Sequence, residues 1–188
     1  VYITEQIGAA GLALLTANCH CLMPWEANPE SPPPPPRELL AEADAVVVRL
    51  FTIGEADFAK APRIKVVAKH GVGVDNIDCE VATRRGIPVV WCPGASSNAV
   101  AEHALTLMFT LARQIDTAQA MVKAGQFTQR DRLRGTELAG KTLGVIGLGR
   151  IGSRVAAKAA LGLGINVLAY DPPLDRSQYH GPAKFVDE

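Results

Sequence analysis

The sequence predicts an α/β protein built on parallel sheets and divided into two successive units. Three observations carry this. Short apolar runs alternate with stretches of helical periodicity, the pattern of parallel strands joined by helical crossovers. A glycine-rich turn, Gly147 to Gly152, lies between two of those runs. A break of small and turn-forming residues, Pro93–Ser97, precedes a long helical stretch. The boundary is therefore expected near residue 97, giving units of residues 1–97 and 98–188.

Taken in order, Val1–Thr4 reads as a strand. Glu5–Leu15 reads as an amphipathic helix with Ile7, Leu12 and Leu15 on one side. Residues 16–30 give no clear signal. The five prolines at 32–36 favour an extended polyproline stretch. That stretch is either a stiff surface connector or a ligand for a proline-reading module. Arg37–Ala43 reads as a short helix. Ala45–Leu50, Ile64–Lys69 and Ile87–Trp91 read as buried strands, rich in valine and isoleucine. Ser97 or Asn98 is placed to cap a helix over Ala99–Arg113, and Asp116–Ala124 forms a second helix ended by Gly125.

Bulk properties narrow the partners. The chain has 188 residues, 48% of them hydrophobic, with a formal net charge of zero. No long run of either sign points to nucleic acid or an anionic membrane. No apolar run reaches the length that spans a bilayer. The four cysteines, Cys19, Cys21, Cys79 and Cys92, make no disulfide framework for a chain of this length, which suits a reducing cytoplasm. Cys19-His20-Cys21 has the look of half a metal site, but no second pair follows at zinc spacing, and ordinary thiols are the plainer reading.

The most informative stretch runs from Thr142 to Asp171. Thr142–Ile146 is a short strand. It enters Gly147-Leu148-Gly149-Arg150-Ile151-Gly152, the spacing G-x-G-x-x-G. Ser153–Leu161 continues as a helix, Ile165–Tyr170 forms the next strand, and Asp171 stands at its carboxyl end. Gly147 permits a tight turn, Gly149 lets a pyrophosphate approach the backbone, and Gly152 lets helix and strand pack closely. The helix start offers unpaired N–H groups to phosphate. Asp171 accepts from a ribose 2′-hydroxyl and repels a 2′-phosphate, which favours NAD over NADP. A lone G-x-G-x-x-G also occurs as a mere crossover turn. Here both strands, the helix and the acid fall in place around it.

A second glycine loop, His70-Gly71-Val72-Gly73, follows the strand over Ile64–Lys69. Successive N–H groups in such a loop form a nest for a carboxylate or phosphate; the alternative is a tight turn without a ligand. Arg49 ends another strand, where it either meets an anionic substrate or forms a surface ion pair. His70 adjoins the nest, and His103 lies on a helix. Neither is assigned as an acid or base.

Several blocks together resemble one family. They are KHGVGVDNID at residues 69–78, GIPVV at 86–90, PGASSNAVAEHAL at 93–105, GTELAGKTLGVIGLGRIG at 135–152 and YDP at 170–172. They are similar, in order and over about residues 42–175, to the D-isomer-specific 2-hydroxyacid dehydrogenases. Within that family they are most similar to the branch acting on 3-phosphoglycerate.

The resemblance implies two Rossmann-like domains, a flavodoxin-like substrate domain and a doubly wound NAD-binding domain, with the second only partly contained in these residues. It implies hydride transfer between NAD and C2 of a small 2-hydroxy or 2-keto acid. Gly147, Gly149, Arg150, Ile151 and Gly152 would hold the pyrophosphate, and Asp171 the adenine ribose. Val72 and Val100 would lie near the cofactor. The backbone over Gly71, Val72 and Gly73 would hold the substrate carboxylate, and Arg49 its distal group. Ser96 stands where relatives often carry Asn. The family's catalytic arginine, glutamate and histidine are expected beyond Glu188, so no catalytic residue is assigned and the 188 residues alone are expected to be inactive. The two helices after residue 97 resemble the family's dimer-forming segment, so a homodimer is expected. The alternative is a dinucleotide-sensing interaction protein of the same fold, like the family's corepressors.

Overall fold

The computed structural model describes residues 1–187. The chain divides into two compact units between Ala95 and Ser96.

The first unit is a parallel sheet with helical crossovers. Its strands are β1 (Tyr2–Ile3), β2 (Ala45–Val48), β3 (Val66–Lys69) and β4 (Val89–Val90), hydrogen-bonded in that order and all parallel. Helix α1 (Ala9–Asn18) follows β1, α2 (Glu55–Lys60) follows β2, and α3 (Cys79–Arg84) follows β3. A single further bridge, Tyr2 to Leu22, extends the sheet beyond β1 on the edge away from β2. The chain therefore runs from β1 outward to Leu22, then crosses back to β2 on the other side. That reversal between β1 and β2 is the topological switch point of a doubly wound sheet, where ligands collect at carboxyl ends of strands.

The second unit contains α4 (Ser97–Arg113), α5 (Ile115–Lys123), β5 (Thr142–Ile146), α6 (Gly152–Ala157), β6 (Asn166–Tyr170) and β7 (Lys184–Phe185). The three strands form a parallel sheet in sequence order. Period-2 alternation sets its two faces. Val167 and Ala169 of β6 are buried with Ala156 and Ala159, while Ile146, Leu168 and Tyr170 point to the open face. Leu105 and Met108 of α4 pack against this same core from inside the unit.

Element boundaries differ from the sequence expectation in physically readable ways. The first helix begins at Ala9, not Glu5, because the Glu5 carboxylate is taken by backbone N–H groups far along the chain. Ile7, Leu12 and Leu15 are half-buried, but no residue of α1 is fully so. Strand β2 stops at Val48 for the same reason: the N–H groups of Arg49 to Phe51 serve Glu5 instead of a neighbouring strand. β4 shrinks to two residues, since Pro88 has no N–H to donate to the ladder. Arg37–Ala41 is a 3₁₀ turn, and the helix after β5 changes to a π turn over Lys158–Gly162.

Two short 3₁₀ segments, Pro24–Ala27 and Phe127–Arg132, have no periodic signature in the sequence. The proline run is tied down: Pro36 O accepts from the Tyr2 hydroxyl at 2.9 Å. With Trp25, prolines 32–35 wall a pocket of about 300 Å³.

Candidate functional site

In the second unit the glycine turn is shaped by three separate backbone demands. Gly147 has φ of 90°, in the left-handed region where a side chain is strained. A Cβ on Gly152 would stand 1.9 Å from the Gly147 carbonyl oxygen. A Cβ on Gly149 would meet nothing within 4 Å, so this glycine leaves open space instead of relieving a clash.

The backbone donors of the turn divide cleanly. Gly147 N–H donates to Tyr170 O at 2.8 Å and closes the β5–β6 ladder. Leu148 N–H donates to Asp171 Oδ2 at 2.6 Å. Ser153 N–H returns to Gly149 O, and Arg154 and Val155 N–H to Ile151 O. Among the described residues no acceptor is found for the N–H groups of Gly149, Arg150, Ile151 and Gly152. These are the orphan donors of a helix start, beside the open space at Gly149. Ile151 is 41% exposed, and Arg150 is exposed as well.

Asp171 is half-buried at the carboxyl end of β6. One of its oxygens is fixed on Leu148, whose side chain is buried in the core beneath. The carboxylate is thus held to the glycine turn with its other oxygen uncommitted among the described residues. Val100 lies on the first turn of α4 and is 42% exposed.

In the first unit the loop after β3 has a similar division. Gly71, with φ of 151°, turns its N–H back to Lys69 O at 3.0 Å. No acceptor is found among the described residues for the N–H groups of Val72 and Gly73. The open part of this nest is therefore Val72–Gly73, one donor shorter than the sequence implies. Val72 is 39% exposed. Cys92 N–H donates to Gly71 O at 3.1 Å, which holds the loop from the β4 side. His70 and His103 are exposed. The four cysteines are free thiols, and Cys21 Sγ lies 3.6 Å from Cys19 O.

Arg49 is exposed just beyond β2, and no ion pair to its guanidinium is found among the described residues. Its turn is held by three side chains, Glu5, Lys69 and Asn76, that no local sequence pattern marks. The Glu5 carboxylate accepts from the N–H groups of Arg49 at 2.9 Å, Leu50 at 2.7 Å and Phe51 at 2.8 Å. The Thr4 hydroxyl also donates to Glu5. Lys69 Nζ donates to Arg49 O and to Asn76 Oδ1, both at 2.5 Å, while Asn76 Nδ2 donates to Phe51 O at 2.6 Å. Burial acts to raise the Glu5 pKa. The hydroxyl and the three N–H donors outweigh it and hold the carboxyl below its ordinary value. Lys69 and Asn76 lie inside the KHGVGVDN run, but only the folded arrangement shows that they reach across to residues 49–51.

The chain matches the family described as D-isomer specific 2-hydroxyacid dehydrogenase, catalytic domain, over residues 1–168. It is 51% identical over 136 residues to a D-3-phosphoglycerate dehydrogenase of Methanocaldococcus jannaschii, covering 72% of this chain and 26% of that protein. It is 38% identical over 185 residues to D-3-phosphoglycerate dehydrogenase 2, chloroplastic, of Arabidopsis thaliana, covering 96% of this chain and 29% of that protein. The chain thus spans between a quarter and a third of the length of these curated relatives.

Among solved structures it is similar to D-lactate dehydrogenase from Aquifex aeolicus complexed with NAD and lactic acid, with a TM-score of 0.78 and 26% identity. That match covers 100% of this chain and 56% of the other. A D-isomer specific 2-hydroxyacid dehydrogenase from Polaromonas gives a TM-score of 0.83 at 26% identity, covering 100% of this chain and 59% of the other. Sequence blocks, parallel sheets and glycine turn agree, and the chain belongs to the D-isomer specific 2-hydroxyacid dehydrogenase family.

Proposed function

We propose that the chain supplies the acid-binding unit and the first half of the cofactor-binding unit of an NAD-dependent D-2-hydroxyacid dehydrogenase. The observation that carries this is the Asp171–Leu148 hydrogen bond, which sets a carboxylate beside a glycine turn whose next four N–H groups have no acceptor among the described residues. Gly149, Arg150, Ile151 and Gly152 offer those N–H groups to a pyrophosphate, and the missing side chain at Gly149 lets it approach. Gly147 and Gly152 keep the turn tight. Asp171 accepts from the adenine ribose with the oxygen that Leu148 leaves unused. When bound, NAD supplies the hydride acceptor for oxidation and the donor in its reduced form.

The first unit orients the acid. Val72 and Gly73 N–H groups receive the substrate carboxylate, and the Arg49 guanidinium receives a distal anionic group of a substrate resembling 3-phosphoglycerate. Val72 of the first unit and Val100 of the second are each partly exposed, which leaves each free to offer apolar surface to the cofactor. The general acid and the group that polarises the carbonyl are not assigned to any of the 188 residues. We accordingly infer that these residues alone bind the cofactor without turning over 2-keto acids. Exposed Leu107, Leu111, Ile115 and Val122 on α4 and α5 support a homodimer through these helices.

The deciding experiment titrates the purified chain with NADH and NADPH, following nicotinamide fluorescence, and then assays NADH oxidation with pyruvate and 2-oxoglutarate. NADH is expected to bind more tightly than NADPH, with no turnover. Tighter NADPH binding overturns the role of Asp171. Absence of NADH binding by a folded chain overturns the cofactor assignment. Robust turnover overturns the inference of inactivity.

A further inference from the structure

The turn from Arg49 to Phe51 presents three N–H groups at the switch point between β1 and β2, the place where a doubly wound sheet offers an anion site. In this chain that nest is filled from within. Glu5 accepts all three donors, and a fourth bond from Thr4 completes its acceptor capacity. Two carbonyls of the same turn are taken as well, Arg49 O by Lys69 and Phe51 O by Asn76. Among the described residues the N–H groups of Arg49, Leu50 and Phe51 are all committed to Glu5, so an incoming anion meets side chains here: the Arg49 guanidinium, beside the Lys69 ammonium that two bonds hold to the turn and to Asn76.

Lys69 and Asn76 bracket the second glycine loop, one at the end of β3 and the other after Gly73. They also bond to each other at 2.5 Å. The turn that carries Arg49 is therefore bolted to the loop that carries the Val72–Gly73 nest. We propose that Glu5, Lys69 and Asn76 are positioning residues that fix the separation between the Arg49 turn and this nest, so that the pair measures the length of a two-headed anion. The proposal rests on the reading of Arg49 as the contact for a distal anionic group.

The consequence is a preference between ligands. A dianionic keto acid engages nest and guanidinium together. A monoanionic one engages the nest alone. The ratio of their affinities isolates the contact to the second anionic group, because the shared carboxylate contact cancels, and Arg49→Ala assigns that contact to Arg49. Loss of general stability lowers both affinities and leaves the ratio unchanged.

The test uses amide NMR of the full 188-residue chain with 2-oxoglutarate and pyruvate as probes, read at Val72 and Gly73. The wild type is expected to prefer 2-oxoglutarate by roughly tenfold, the scale of one charge-assisted contact. Arg49→Ala and Glu5→Gln should both erase that preference. In Glu5→Gln the amides of Arg49, Leu50 and Phe51 should exchange with solvent at least roughly tenfold faster, while Val67 in the core stays protected. Glu5→Ala vacates the nest, and added acetate should enter it and restore the preference.

No preference in the wild type removes the role of Arg49, and the proposal falls with it. If Arg49→Ala erases the preference and Glu5→Gln does not, Arg49 stands and the positioning role alone is overturned. Unchanged amide exchange in Glu5→Gln, or no recovery with acetate in Glu5→Ala, also overturns it.

Discussion

A Cβ on Gly152 would lie 1.9 Å from the carbonyl oxygen of Gly147. The atom it meets belongs to the backbone of the turn, so no side chain can swing aside to relieve the contact. Gly152→Ala must therefore displace the turn itself, at a cost of about 1–3 kcal/mol. Gly149→Ala meets open space and should leave stability within about 0.5 kcal/mol, apart from its effect on the unfolded chain. Both substitutions should weaken NADH binding, the first by deforming the turn and the second by putting a methyl where the pyrophosphate approaches. Urea unfolding and an NADH titration on both variants separate the two effects. A strongly destabilised Gly149→Ala, or one that binds NADH normally, contradicts this division of roles.

Asp171 serves the fold and the proposed ligand with different oxygens. Asp171→Asn keeps an acceptor for Leu148 N–H but removes the negative charge. Its expected effect is a narrower NADH over NADPH preference with little loss of stability. Asp171→Ala also orphans the half-buried Leu148 N–H, which adds about 1 kcal/mol of destabilisation. NADH affinity should fall roughly tenfold or more in the alanine variant, the scale of a hydrogen bond to a charged group. Parallel titrations with both cofactors and thermal melts of the two variants check this. Equal melting temperatures would show that the Leu148 contact contributes nothing.

What was legible in the sequence follows from how local each cause is. The roles of Gly147, Gly149 and Gly152 depend on backbone geometry within six positions, and Asp171 lies at a fixed distance along one βαβ unit, so the pattern could be read directly. The alternation in β5 and β6 is equally local. Glu5 could not be read that way. Its acidic side chain at the head of an apolar stretch suggests a helix start, but its actual partners lie 44 to 46 positions later. The same distance hides why β2 stops at Val48. Lys69 and Asn76 belong to the KHGVGVDNID block, yet nothing local in that block encodes their reach back to Arg49 and Phe51. Nor did the nest motif show that Gly71 would spend its own N–H on Lys69 O.

Tyr2 offers a test of how the proline run is held. The side chain is fully buried, and its hydroxyl donates to Pro36 O at 2.9 Å. Tyr2→Phe keeps the ring in the core and its edge contact with Phe51, whose centroid lies 6.4 Å away. Only the hydrogen bond is lost, so the cost should be about 0.5–1.5 kcal/mol. Chemical denaturation checks the value, and limited proteolysis near residues 32–36 should accelerate as the anchor is removed. Unchanged cleavage would mean that the prolines are held by Trp25 and their own stiffness.

Acidification should release the Arg49 turn before it unfolds the first unit. Glu5 is the charged centre of that turn, its carboxylate accepting from the Thr4 hydroxyl and from the N–H groups of Arg49, Leu50 and Phe51, with Tyr2 as a buried neutral neighbour. Its carboxyl is held below the ordinary glutamate value, so its ionised form is favoured in the folded state. The stabilisation it contributes is complete above the ordinary value of about 4.3 and declines as pH falls through the lower folded value. Exchange rates at Arg49, Leu50 and Phe51, corrected for the intrinsic pH dependence of exchange, should rise together below that point while Val67 remains protected. In Glu5→Gln the three amides should already be fast at neutral pH and show no such step. A step of equal size in Glu5→Gln would assign the titration to another carboxylate and remove Glu5 as the acid-labile element.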